Sequence, residues 1–214
     1  MSQGQGILAI QGDSGIGKTT LGRDVARALE VPMYETSNGF RGFTAWALHR
    51  GVDCSDEVAL AKLAEEFQFA VIDDRVVVCG LDVTDDLRSA GTEQWVSPVA
   101  HVHAVRQAFV RAMHDWVNQR PAVAVGRHLR EIWPDAQLVI QVERHDEVTR
   151  RAAQSQGSHA APTGLLARSE LDRKTGQRVL AHLTGKHFEE LDTTGMDKIQ
   201  QAAAALELAR RYGF

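Results

Sequence analysis

Ile7-Leu8-Ala9-Ile10-Gln11-Gly12-Asp13-Ser14-Gly15-Ile16-Gly17-Lys18-Thr19-Thr20 is the stretch whose reading decides the fold. Its first four residues are a short apolar run of the kind that forms a strand buried on both faces. From Lys18 to Glu30, Leu21, Val25, Ala28 and Leu29 recur at helical spacing. Between strand and helix, Gly12 to Thr19 fits the pattern G-x-x-x-x-G-K-[ST]. In such a loop successive backbone N–H groups cradle phosphates, and the helix that follows points its positive end at them. Gly12 and Gly17 permit backbone geometry that a side chain would block. Lys18 is expected at the β- and γ-phosphates and Thr19 at Mg²⁺ through its hydroxyl, with Ser14, Gly15 and Thr20 completing the cradle. The ligands so implied are ATP and Mg²⁺.

Working outward, Ala122-Val123-Ala124-Val125 and Leu138-Val139-Ile140-Gln141-Val142 have the length and branching of further strands in a parallel sheet. His187 to Leu191 adds another strand, and Asp192-Thr193-Thr194 then caps a helix running through Ile199, Ala203, Leu206 and Leu208. Alternating β and α predicts an α/β fold with a doubly wound parallel sheet. The expected division is a single domain over 1–214, with its core in 1–35, 120–153 and 176–214. An insertion at 36–119, which breaks the alternation, is assigned to the acceptor. Within it Phe69 to Ile72, the turn Asp73-Asp74, Arg75 to Cys79 and Leu81 to Val83 read as a small antiparallel sheet. Helices are expected over Asp56 to Phe67 and over Thr92 to Val117, the second broken near His103. Residues 154–175 begin with a polar, glycine-containing stretch and are assigned to a lid.

The 214 residues suffice for a full core, and 43% hydrophobic with 24% charged residues is an ordinary globular composition. A formal charge of −4 without a basic block argues against a nucleic-acid polymer or an anionic membrane as partner. No segment has the apolar length that spans a bilayer, and Met1 to Gly6 lacks the features of an export signal. Cys54 and Cys79 stand far apart without CxxC spacing, which suits a cytoplasmic protein and suggests neither a disulfide framework nor zinc. His101 and His103 fit exposed helix positions better than a metal site. The expectation is a monomer acting on a small-molecule nucleotide.

A phosphate loop alone does not separate a kinase from a nucleotide switch or an ATPase. Arg127 follows the strand Ala122 to Val125 directly, at the carboxyl end of the sheet where open α/β folds bind ligands. Arg41 follows the second strand region by a few residues, and Arg168 stands in the lid. Arginine forks suit phosphate oxygens, and a lid arginine arrives only on closure. Surface ion pairing is the competing reading for each.

From about Ile7 to Ala204 the chain resembles bacterial cytidylate kinase. The resemblance rests on Gly12 to Thr20, Glu35-Thr36-Ser37-Asn38-Gly39-Phe40-Arg41, Val96-Ser97-Pro98-Val99 through Val105-Arg106, Gly126-Arg127, Arg168 with Asp172, and Leu191-Asp192-Thr193-Thr194. It implies that Arg41, Arg127 and Arg168 hold the acceptor phosphate, Ser97 and Arg106 face the base, and Asp172 contacts the ribose. Thr36 is counted with the acceptor side, and Arg151 lies near the adenine of ATP, with a solvated helix arginine as the equal alternative. Lys18, Arg127 and Arg168 are the residues assigned to catalysis. The family pattern Asp-Gly-Arg-Asp is Val125-Gly126-Arg127-His128 here, so the carboxylate that supports magnesium and the one that reads cytosine are both replaced. His128 therefore faces the base in place of an acid, a further lid arginine is Thr175, and Asp-Ser-Gly becomes Glu35-Thr36-Ser37. The expected acceptor is a pyrimidine nucleoside monophosphate, CMP or dCMP or a modified one. Two alternatives stay open: a kinase of the same fold acting on a hydroxyl of a nucleoside, sugar or antibiotic, with Glu35 as the candidate base, and a non-catalytic nucleotide-binding module.

Overall fold

The computed structural model describes residues 6–13, 15–72, 75–117, 120–127, 129–145 and 187–214. They fall into two compact units, one formed by Met1–Tyr34 with Gln119–Phe214 and the other by Glu35–Asn118.

The first unit is built on a five-stranded sheet. Its strands are β1 (Ile7–Gly12), β2 (Met33–Glu35), β6 (Ala122–Gly126), β7 (Leu138–Glu143) and β8 (Phe188–Asp192), in the order β2-β6-β1-β7-β8. β6, β1, β7 and β8 pair in parallel, with Leu8 opposite both Val123 and Leu138. Ile7, Leu8, Ala9 and Ile10 are all buried, the pattern of a central parallel strand covered on both faces. One face carries Leu8, Ile10, Val123, Val125, Leu138, Ile140 and Val142. These form a core with Leu21 and Val25 of α1 (Lys18–Ala28) and with Ala205, Leu208 and Ala209 of the C-terminal helix Lys198–Arg211. That last helix begins with a capping box in which Asp197 and Gln200 satisfy each other's backbone N–H groups. The chain fills one side of the sheet, β2 and β6, and then the other, β7 and β8. The order therefore reverses at β1, and the carboxyl end of that strand is where a doubly wound fold binds its ligand.

The second unit places α2 (Ser37–His49), α3 (Glu57–Ala64), α4 (Ala90–His101) and α5 (His103–Val117) around a small antiparallel sheet of β3 (Phe69–Ile72), β4 (Arg75–Val78) and β5 (Leu81–Asp82). Phe43, Trp46, Phe67 and Phe69 meet edge-on or tilted at ring separations of 5.2 to 6.5 Å and centre its core. The helix expected over Thr92 to Val117 is two helices, interrupted where Val102 takes an extended conformation. His101 and His103 flank that break and are exposed, as their sequence positions suggested. Cys79 and Gly80 form the two-residue turn joining β4 and β5, both with positive φ as such hairpin turns require. The expected turn Asp73-Asp74 lies outside the described residues.

Two helices were not anticipated. α2 carries a near-continuous apolar and small-residue run rather than a clean stripe, because Gly39, Gly42, Phe43, Thr44, Ala45, Trp46 and Ala47 are all buried. α6 (Leu129–Ile132) is a single turn, too short for periodicity to register. Among the described residues no helix is long and apolar enough to cross a membrane.

Gly22 sets the approach of α1 to the sheet: a Cβ there would lie 2.2 Å from Val125 Cγ2. Gly22→Ala is expected to lower stability by about 1–3 kcal/mol, the usual cost of overpacking. Chemical denaturation should show part of that loss recovered in Gly22→Ala/Val125→Ala, since the two sites are in contact.

Candidate active site

The loop after β1 is shaped by its glycines. Gly12 has φ +149° and no room for a side chain, since an added Cβ would lie 2.4 Å from the carbonyl oxygen of Val142 and 2.8 Å from Ile16 Cδ1. The backbone of the loop therefore rests directly against the end of β7. Gly15 and Gly17 also have positive φ. Gly17 is the N-cap of α1 in the left-handed region, and no side chain caps the helix. The first-turn N–H groups of α1 have no partner within the helix. These features fit a phosphate group, which accepts from backbone N–H groups at a helix N-terminus. Lys18 folds back over the loop and donates from Nζ to the carbonyl of Asp13. Thr19 and Thr20 occupy the first turn of α1, half-buried beside it. Ile16 points inward and is 4% exposed, anchoring the loop to the core.

Arg127 follows Gly126, the last residue of β6, and is exposed at the carboxyl edge of the same sheet. The phosphate loop and Arg127 thus leave adjacent parallel strands, for Gln11 and Gly126 are in register. The bridge between them was not foreseen. Gln11, 8% exposed, accepts at Oε1 from the backbone N–H of Leu129 at 3.1 Å and donates from Nε2 to Gln141 Oε1 at 3.2 Å. Its signal in the sequence was a lone amide closing an otherwise apolar strand. Arg130 is also buried; its guanidinium lies 5.8 Å from the centre of the Phe188 ring, and burial pushes its pKa down.

In the second unit, Arg41 on α2 is paired with Glu93 on α4 and donates from Nη1 to the carbonyl of Leu87 at 3.3 Å. Arg106 on α5 donates to the carbonyl of Ala100 at 3.1 Å, and its guanidinium lies 5.8 Å from the Phe40 ring centre. Phe40 itself stacks on Phe109 at 4.1 Å, and Gly39 leaves the space for that ring. Ser97 lies on α4, its carbonyl engaged by His101 Nδ1 at 2.6 Å. Thr36 is the buried N-cap of α2, and Ser37 donates to Glu35 at 3.2 Å. Arg41, Ser97, Arg106 and Thr36 therefore belong to one compact unit. Gly12, Gly15, Gly17, Lys18, Thr19, Thr20 and Arg127 belong to the other. Glu93 and Phe40 were missed as partners of Arg41 and Arg106, since nothing in their spacing announces a contact made between helices. Ser14, His128, Arg151, Arg168 and Asp172, with the lid expected at 154–175, lie outside the described residues. No group of three or more His, Cys, Asp or Glu among the described residues could hold a metal ion by itself.

A doubly wound sheet with this loop at its topological switch point defines a P-loop nucleotide-binding fold. The family model for cytidylate kinase matches residues 8–207, and the chain belongs to that family. A cytidylate kinase of Nitrosomonas eutropha is 29% identical over 198 residues, covering 89% of this chain and 88% of its own length. A bifunctional pantoate ligase/cytidylate kinase of Trichormus variabilis is 30% identical over 213 residues; the match takes in 95% of this chain but 38% of that protein. Among solved structures, a gluconokinase from Sinorhizobium meliloti shares the fold at TM-score 0.50 and 17% identity, over 97% of this chain and 93% of that one.

Gly12→Ala forces a Cβ against a backbone oxygen that no rotamer change can move. It is expected to weaken ATP binding by about tenfold or more, in line with the cost of strain at a constrained backbone position. Equilibrium titration with ATP, with a melting curve as fold control, checks this.

Proposed function

We propose that this protein transfers the γ-phosphoryl group of Mg-ATP to a pyrimidine nucleoside monophosphate, CMP or dCMP or a modified pyrimidine nucleotide. The observation that carries the reading is the phosphate loop, held by the Gly12 approach to β7, in a chain of the cytidylate kinase family. In phosphoryl transfer the protein has little covalent chemistry to perform; it lines up the two oxygens and offsets charge as the group passes. The loop N–H groups and Lys18 would bind the β- and γ-phosphates, and Thr19 would hold magnesium, which supplies charge neutralisation across the phosphates. Arg127 and Arg41 are assigned to the acceptor phosphate, and Ser97 and Arg106 to its base. Arg168, Asp172 and His128 are assigned to the acceptor, and Arg151 to the adenine, on family resemblance.

A monophosphate acceptor is largely ionised near neutral pH, its second pKa being about 6, so the acceptor oxygen attacks without a dedicated general base. Val125 bears on magnesium and not on the acceptor proton. It stands where the family carries a carboxylate, and here it is a packing residue, 1% exposed and set against the Gly22 position. Holding magnesium thereby rests more heavily on Thr19, with Lys18 and the arginines offsetting charge beside the metal. Residues 36–119 are proposed as the acceptor-binding part and 154–175 as the lid.

The test is incubation of the pure protein with Mg-ATP and CMP, dCMP, UMP, dUMP, AMP, GMP and the matching nucleosides, with products read by mass spectrometry and Lys18→Ala run in parallel. A diphosphate from CMP or dCMP, absent with Lys18→Ala, is expected. Product from nucleosides alone would move the acceptor to a hydroxyl, and ATP binding without any product would leave a nucleotide-binding module. Arg41→Lys replaces a fork by a point charge. It is expected to raise the KM for CMP by about tenfold with the KM for ATP nearly unchanged, as steady-state kinetics at varied CMP would reveal.

A further inference from the structure

We propose that Gln11 is a positioning residue that sets Arg127 relative to the phosphate loop. Residue 11 immediately precedes Gly12, the first residue of the loop, and its place on β1 is opposite Gly126, which immediately precedes Arg127. Its side chain reaches past Arg127 to Leu129, whose backbone N–H donates to Oε1. One residue therefore holds a neighbour on either side of Arg127, Gly126 through the strand ladder and Leu129 through its own amide.

The orientation of that amide is fixed by its partners. The Leu129 N–H can only donate, so the oxygen of Gln11 faces it and the NH₂ group faces Gln141 Oε1, 3.2 Å away on β7. Gln141 is also the register partner of Gln11 on that side. The bridge runs from Gln141 on β7 through Gln11 on β1 to Leu129 at the start of α6, buried at its Leu129 end and part-buried at Gln141, with Gln11 8% exposed. A buried amide is costly unless both ends are paired, and one paired at both ends is stiff. An apolar residue would satisfy packing at this position, and Ile7 and Ala9 do so on the same strand. The amide supplies what an apolar residue cannot, an acceptor for the buried Leu129 N–H two residues after Arg127. Placement of an arginine within a few tenths of an ångström of the phosphates it serves is the kind of precision phosphoryl transfer depends on.

The inference rests on Arg127 acting in the reaction proposed above, and a double-mutant cycle tests the two separately. Gln11→Met keeps the length and removes both hydrogen bonds. At saturating ATP it should lower kcat/KM for CMP by about tenfold or more, with the KM for ATP within about twofold of wild type. In an Arg127→Ala background the same substitution should cost less than about threefold further, because the residue acts through Arg127. An equal loss in both backgrounds, or no loss in the wild-type background, overturns the inference while leaving the reaction standing. If Gln11→Met does not fold, Gln141→Met serves: it withdraws the partner of the Gln11 amide and should give a smaller loss with the same non-additivity, and additivity would overturn the inference. A wild-type protein inactive on CMP defeats the proposed reaction instead. In that event hydrogen exchange over 126–129 still decides. Faster exchange in Gln11→Met supports the clamp, and unchanged exchange overturns it.

Discussion

The carbonyl of Val142 and the absent side chain of Gly12 form the contact on which the catalytic half of this protein depends. A Cβ at residue 12 would stand 2.4 Å from that oxygen, so only glycine lets the chain leave β1 and turn across the end of β7. The turn carries Gly15 and Gly17 in left-handed conformations and starts α1 at Gly17, an N-cap with no side-chain cap of its own. The macrodipole of α1 and its first-turn N–H groups fit an anion held by backbone. Little net positive charge is required elsewhere, consistent with a chain of formal charge −4.

The same economy runs through the packing around the loop. Gly22 brings α1 close to β6, where Val125 fills the contact, and Leu21 and Val25 seal α1 onto the core shared with the C-terminal helix. Val125, 1% exposed, contributes hydrophobic burial at the carboxyl end of β6. Amides make the polar contacts beside it: Gln11 and Gln141 bridge β1 and β7, and Gln11 accepts from Leu129.

In the second unit the constraint is aromatic. Phe43, Trp46, Phe67 and Phe69 fix α2 and α3 over the small sheet, and Phe40 on Phe109 fixes α2 to α5. Arg41 and Arg106 emerge from this scaffold already engaged, the first by Glu93 and the second by Ala100 and the Phe40 ring. An acceptor phosphate that used Arg41 would share the guanidinium with Glu93. The pair is part-exposed, its side chains 18% and 40% accessible, so exchanging one anion for another costs little desolvation.

The sequence by itself determined the central strands, the phosphate loop and the broken pair of helices before and after His101 and His103. Each of these is local: an apolar run, a glycine spacing, or a change of period within a dozen residues states its own conformation. The doubly wound order also followed, because alternating β and α units admit few chain paths. Only the tertiary structure decided that Glu93 meets Arg41, that Arg106 lies over Phe40, and that Gln11 spans from β7 to Leu129. Those contacts join residues 52, 130 and 118 positions apart in the hydrogen-bonded cases. α2 escaped notice because a helix buried on most sides loses the polar face that gives periodicity its contrast. The physical reason is the same throughout: local pattern fixes which element forms, while the partner of a polar side chain is fixed only when distant elements close against it.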